Sequence, residues 1–573
     1  MVVMYIDKVP NRHSPPAILL RESFREGKKV RKRTLGNLSS LPPYQIELIR
    51  HVLRGERLTA VEDHFEIVAS FHHGHVDAVL RTMERLGFAQ LIASAPSRER
   101  DLVLGMVAAR IIEPDSKLAT TRWWHTTTLP AEFGVADADE DDLYDAMDWL
   151  LKRQPRIEAK LAARHLKEGG LVLFDLTSSY FEGVTCPLAA LGKSRDGKKG
   201  TLQVNWGLLT DERGRPVAVS VFKGNTGDPT TLLPQVRKVK DDFGIKTLVI
   251  VGDRGMITQT QIDEIKGLDG VDWITALKSA GIKKLMEGEA LQMELFDERN
   301  LFEMTHPDYP GERLVACLNP ELRKLRGHKR RSLLDATSRE LEKVRTMVQR
   351  GRFKGKDKAE IGVKVGKVIN KYKMAKHVVL DIRDGFFDFH VDEKKVEAEA
   401  ALDGIYVIRT SLDEGQASAE DAVRHYKKLV LIEAAYRSLK TIDIKTRPIR
   451  HYTEDRVRAH IFLCMLAYYV EWHMREAWRS LLFCDEDQEA KKTRDPVAPA
   501  KRSEAALEKV HEKVLDDGTA VHSFQTLLKC LSAIVRNICR VPRVGPDAPT
   551  FEVVTTPNAK QQRAYKLLER LEV

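Results

Sequence analysis

The feature that most constrains this chain is the stretch Leu171-Val172-Leu173-Phe174-Asp175-Leu176-Thr177-Ser178. It is an apolar run of strand length with one carboxylate near its end. An aspartate at the end of a buried strand is costly unless it is paired, liganded or open to a cleft. A second run, Thr247-Leu248-Val249-Ile250-Val251, leads into Gly252-Asp253-Arg254-Gly255. Either aspartate alone has an ordinary explanation as a helix cap or turn residue. The two together ask for a fold that sets two strand ends side by side.

The segments between and after these runs supply such a fold. Thr201–Leu209 and Val217–Phe222 read as strands joined by the turn Asp211-Glu212-Arg213-Gly214-Arg215-Pro216. Asp228 has the position of an N-cap for a helix running to Phe243. A helix at Gln259–Ile265 precedes a fifth strand, Trp273–Leu277. Three antiparallel strands, a helix, a fourth strand, a helix and a fifth strand follow the ribonuclease H-like order. The fold class expected is therefore α/β, with a ribonuclease H-like core whose first and fourth strand ends are neighbours.

At 573 residues the chain is too long for one ordinary core. Residues 1–60 read as a basic segment built on a hairpin, Ala17–Arg25 and Lys29–Leu35. Residues 61–168 have helical periodicity and the size of a DNA-binding module. The core spans 169–278 and resumes at 403–480. Residues 279–402 read as an insertion domain of mixed strands and helices. Residues 481–573 read as a charged, Pro-containing linker, further helices and a tail of uncertain order.

Within the insertion, residues 321–376 hold 19 Lys and Arg against six Asp and Glu, an excess larger than the +10 of the whole chain. Positive charge concentrated in this way is the footprint of a phosphate-backbone partner, although a solvated helical face has the same composition. Lys329, Arg330 and Arg331 lie within this segment. Six scattered cysteines without a CxxC pair argue against a zinc ribbon or a disulfide framework. No apolar stretch reaches 18 residues, so no membrane span is expected. The N-terminus lacks the pattern of a signal peptide, and a cytoplasmic, nucleoid-associated protein is expected. His72-His73-Gly74-His75 and His125 lack Cys or carboxylate at ligand spacing, and Trp123-Trp124 fits a buried anchor better than a base-stacking platform.

The helical pattern that opens at Ser418 and runs to about Lys440 places Tyr426, Leu429 or Val430, Glu433, Arg437 and Lys440 along one face. Two aspartates and a helix-borne glutamate are the hard oxygen donors that two divalent ions need for phosphodiester chemistry.

On these residues the chain resembles bacterial insertion-sequence transposases of the DDE type. It is similar to the branch whose core is split by an insertion domain between the second Asp and the Glu. That branch carries a Tyr-(Arg)-Glu-Lys signature. Tyr426, Glu433 and Lys440 match its spacing, and Leu429 stands where the family has Arg. Arg437, one turn after Glu433, is the candidate replacement. Asp253-Arg254-Gly255 and Gly224-Asn225-Thr226-Gly227-Asp228 also match. The resemblance covers roughly residues 165 to 475.

It implies that Asp175, Asp253 and Glu433 are catalytic and hold two Mg2+ ions, with Mn2+ as a substitute. It implies that Tyr426, Lys440, Arg437, Arg254, Lys329, Arg330 and Arg331 contact DNA. The partners implied are double-stranded DNA, as terminal inverted repeats and as target, and a second copy of the chain. Two other readings stay open on the sequence: a ribonuclease H-like nuclease that does not join strands, and an inactive transposase-derived DNA-binding protein.

Overall fold

The computed structural model describes residues 3–12, 15–56, 65–183, 185–292, 295–352, 357–485, 487–498, 501–540 and 549–571. The boundary expected at 60/61 and residues 353–356 of the basic segment lie outside them. The chain forms two compact units, residues 1–71 with 535–556 and residues 72–534 with 557–573.

In the first unit, β1 (Val3–Val9), β2 (Ala17–Glu26) and β3 (Lys29–Asn37) form an antiparallel sheet in that order. The expected hairpin turns at Gly27, whose φ of +63° suits glycine. A hairpin alone is marginal, and β1 is the third strand that it needs. β4 (Glu66–His72) opens a second sheet in this unit, which is completed near the C-terminus.

The second unit is built on one eight-stranded sheet. Its core strands are β5 (Gly170–Tyr180), β6 (Gln203–Asp211), β7 (Pro216–Lys223), β8 (Leu248–Val251) and β9 (Val271–Ala276). They lie in the order β7-β6-β5-β8-β9, with β5–β8 and β8–β9 parallel and the other pairs antiparallel. This is the order expected from the sequence. Every residue of β6 is buried, as in a strand covered on both faces.

The sheet continues beyond β9. β10 (Leu301–Met304) and β11 (Arg313–Leu318), read from sequence as pieces of the insertion, extend it together with β14 (Ile405–Thr410), in the order β10-β11-β14-β9. The part that leaves the sheet runs from Leu318 to Ile405, two residues that are themselves Cα partners. It comprises the helices Pro320–Gln349 and Lys358–Tyr372, the hairpin β12 (Val378–Arg383) and β13 (Phe386–Val391), and the helix Glu393–Ala400. These elements have a small core of their own, including Leu341, Val344, Ile361, Val365 and Phe387.

The helices of residues 74–165 form a layer of the main core. Arg98–Ile112 is buried from Leu102 through Ile111, because its apolar residues run all round rather than in one stripe. It packs with Glu140–Leu151 against the largely buried helix Glu454–Ala477, which also covers β7. β15 (Val535–Arg540) and β16 (Thr550–Val554) then return to complete the sheet of β4, and a helix at Ala559–Glu569 follows where a tail was expected. No helix among the described residues is long and apolar enough to cross a membrane.

Candidate active site

The register of β5 on β8 fixes the first two carboxylates. Gly170 pairs with Leu248 and Leu173 with Val251. The ladder ends two residues before each aspartate, and Asp253 is among the charges that act on Asp175. Asp253 itself starts a turn, and its Oδ1 accepts the backbone N–H of Gly255 at 2.9 Å and of Met256 at 2.8 Å. The turn role considered for it from sequence is therefore present. A Cβ at position 255 would stand 3.3 Å from Asp253 Oδ1, which is why glycine follows the Asp-Arg pair.

Asp175 is partly buried and Asp253 exposed. Burial, above all, lifts the Asp175 carboxyl to about 7; Asp253 and Asp228 push the same way, against the Leu176 backbone N–H and Arg195. Asp228 is thus part of this acidic end. It does not cap the helix that follows: Gly227 occupies the N-cap, and the Asp228 carboxylate pairs with Arg195. A carboxylate drawn to a nearby guanidinium is no longer free to bond the helix amides.

The helical run that carries Glu433 is not continuous. It consists of Ala419–Lys427, a break at Lys428, Leu429–Arg437, and a wider turn over Ser438–Ile442. Tyr436, three residues after Glu433, anchors it. Its buried hydroxyl bonds the Asp175 carbonyl and accepts the Leu208 N–H at 3.2 Å, and its ring meets Trp206 edge-on at 5.1 Å. The sequence reading did not single out Tyr436; its position one turn after the glutamate was the available signal. Glu433 is exposed. Tyr426, partly buried, lies in the field of all three acids. Burial first, then Asp253, Glu433 and Asp175, push its phenol up to about 12, with Arg254 opposing.

Lys440 reaches the same face of that strand. It is buried, donates to Thr177 Oγ1 at 3.0 Å and pairs with Asp196 at 2.5 Å. Thr177 lies on the Asp175 face of β5, two residues on. Asp196 also pairs with Arg447 and accepts the Tyr180 N–H at 2.9 Å. Arg437 is exposed, and Leu429 packs against the core rather than presenting a cation.

Of the basic residues named from sequence, Lys329 and Arg331 are exposed on the helix Pro320–Gln349. Arg330 is buried, 2.5 Å from Asp403. Arg254, Lys283, Arg326, Lys329 and Lys376 line a cavity of about 720 Å³ that joins the Asp253 turn to the insertion.

Among the described residues, no three His, Cys, Asp or Glu side chains are drawn together closely enough to hold a metal ion. The donor chemistry fits a divalent ion nonetheless: Asp175 offers hard carboxylate oxygens, and its proton affinity is raised by burial first and by the negative charge of Asp253 and Asp228 next, both of which a dication would offset.

Comparison with known families identifies the class. Residues 170–470 match the model of the transposase DDE domain, more than half of the chain, and the chain belongs to that family. It is a DNA transposase, an enzyme that cleaves DNA and transfers strands using divalent metal. Residues 6–62 match the N-terminal domain of IS1634 family transposases, which assigns the chain to an insertion sequence. No curated protein matches it. Among solved structures it is similar to the cryo-EM structure of the piggyBac transposase synaptic complex with hairpin DNA, at 8% identity and a TM-score of 0.34, over 80% of this chain and 77% of that one.

Proposed function

We propose that Asp175, Asp253 and Glu433 are the acidic triad of this transposase and that they hold two Mg2+ ions, for which Mn2+ substitutes. The observation that supports this reading is that β5, which contains Asp175, pairs in parallel with β8, whose end leads into the turn of Asp253, while Tyr436 ties the glutamate's helix to the Asp175 carbonyl. When bound, the ions supply Lewis acidity at phosphorus and lower the pKa of an attacking water.

The chain's own residues do the remaining work. Asp175, within β5, and Asp253, in the turn after β8, orient the scissile phosphodiester for in-line attack. Glu433 approaches from a helix rather than from the sheet, and Tyr436 on the same helix holds it against β5 and β6. Tyr426, uncharged at neutral pH, serves as a hydrogen-bond donor to a phosphate oxygen. Lys440, shared between Thr177 and Asp196, sets positive charge on the Asp175 face of β5. Arg254, Lys329, Arg331 and Arg437 carry the DNA backbone past the site and read no sequence. The DNA bound is the terminal inverted repeat of the element and then the target, and two copies of the chain act on paired ends.

The test is cleavage and joining of labelled terminal-repeat DNA with Mg2+ or Mn2+. The triad variants Asp175→Asn, Asp253→Asn and Glu433→Gln should bind DNA as the parent does and neither nick nor join. Full cleavage by any one of them removes that residue from the assignment.

A further inference from the structure

Arg110 and Lys117 are 7% and 5% exposed, and among the described residues neither forms a hydrogen bond or an ion pair with a carboxylate. Buried lysine and arginine are almost always paired, because an isolated charge out of water is expensive. Here two of them share one place, at the end of the Arg98–Ile112 helix and the start of the Lys117–Trp123 helix.

Around them are more cationic or neutral groups and few acids. The His451 and His460 rings lie 4.9 Å apart. His460 Nε2 is 3.0 Å from the Thr446 carbonyl, and its Nδ1 has no partner. The Cys464 thiol is 3.9 Å from the same ring. His451 meets Tyr144 edge-on, and Arg456 lies over that tyrosine. Asp148 is 3.6 Å from Arg456, and Glu113 and Asp115, between Arg110 and Lys117 in the chain, are exposed. Burial depresses Lys117 to about 7, with Arg110 adding to it, and His451 to about 3. The local field is positive and unbalanced.

The place of this cluster in the fold says what balances it. Ile449, two residues before His451, donates to the Tyr180 carbonyl at 3.1 Å and accepts the Glu182 N–H at 2.9 Å. The cluster therefore sits beyond the end of β5, the strand that carries Asp175. Five residue steps along the strand lead from Asp175 to Tyr180, roughly 17 Å. Along a DNA strand that distance is about five base pairs.

We propose that Arg110, Lys117, His451 and His460 form a pocket for a single phosphate of the DNA backbone, a few base pairs from the reacting bond. Arg110 and Lys117 supply charge-assisted bonds to the phosphate oxygens, and the phosphate supplies the missing counter-charge.

The experiment uses the full chain and the variants Lys117→Met and Arg110→Met, which keep bulk and remove charge, with Lys117→Arg as the conservative control. The slope of log affinity for terminal-repeat DNA against log salt should fall in magnitude by about 0.9 in each Met variant and stay at the parental value in Lys117→Arg. Thermal midpoints are compared in inorganic phosphate and in chloride at equal ionic strength. A phosphate-dependent rise in the parent that Lys117→Met lacks supports the pocket. A parental slope in Lys117→Met with that rise lost assigns the pocket to free phosphate and overturns its role on DNA. Parental behaviour in both measurements overturns the proposal.

Discussion

Arg330 gives the sharpest separation between a structural cation and a DNA-binding one. It stands between Lys329 and Arg331 in the most basic segment of the chain, and composition treats all three alike. The fold does not: Arg330 is buried against Asp403, with side-chain exposures of 9% and 7%, while its two neighbours face solvent. Replacing Arg330 with Met leaves Asp403 as a buried, uncompensated charge, at a cost of about 3–5 kcal/mol. Asp403 precedes Gly404, whose carbonyl accepts the Asn319 N–H at 2.9 Å where the insertion leaves and rejoins the sheet. The cost should therefore appear as local opening at that junction. At 1.36 kcal/mol per tenfold, the open population rises on the order of 10² to 10³-fold or more. Native-state hydrogen exchange of the amides of 313–323 and 404–410 reads this directly. The double variant Arg330→Met with Asp403→Leu should recover most of the protection, because an apolar pair replaces the ionic one. Parental exchange in Arg330→Met, together with a salt slope reduced by about 0.9, would refute the reasoning and return Arg330 to the DNA surface.

Lys329→Gln and Arg331→Gln should each lower the salt slope of DNA binding by about 0.9, with exchange at the junction unchanged. Tyr436→Phe removes a buried hydroxyl shared by the Asp175 carbonyl and the Leu208 N–H; about 1–3 kcal/mol of local stability should be lost in β5 and β6, seen by exchange, with cleavage falling more than DNA affinity. The Asp175 carboxyl has a folded pKa above its unfolded one, so its contribution to stability is full below about pH 4 and is lost as pH rises through about 7. Divalent metal takes the place of that proton. Mg2+ should thus raise the thermal midpoint more at pH 8 than at pH 6, and at low Mg2+ cleavage should fall as pH drops through about 7. A metal effect that does not change with pH would exclude Asp175 as a ligand.

The core was legible because its strands are short apolar runs bounded by turn residues, and their number and spacing leave few ways to order them. Asp253 does follow the end of its strand, whereas Asp175 lies within β5, which runs on to Tyr180 through residues too polar to read as an apolar run. Asp228 was misread because its local pattern is that of a cap, while its actual partner, Arg195, lies 33 residues away. The same limit hid the burial of Arg330 and Lys440, whose partners Asp403 and Asp196 are remote in sequence. β10 and β11 looked like parts of an independent insertion because periodicity does not say which sheet a strand joins. The break at Lys428 was invisible because no Gly or Pro marks it.

Leu318 and Ile405 face each other across two neighbouring strands, so everything between them hangs from the sheet as the loop of one long hairpin. The entropy of closing such a loop grows only slowly with its length. This appendage can therefore lengthen, shorten or be exchanged while β5 and β8 keep their register, so its surface can change without disturbing the strands beside the carboxylates.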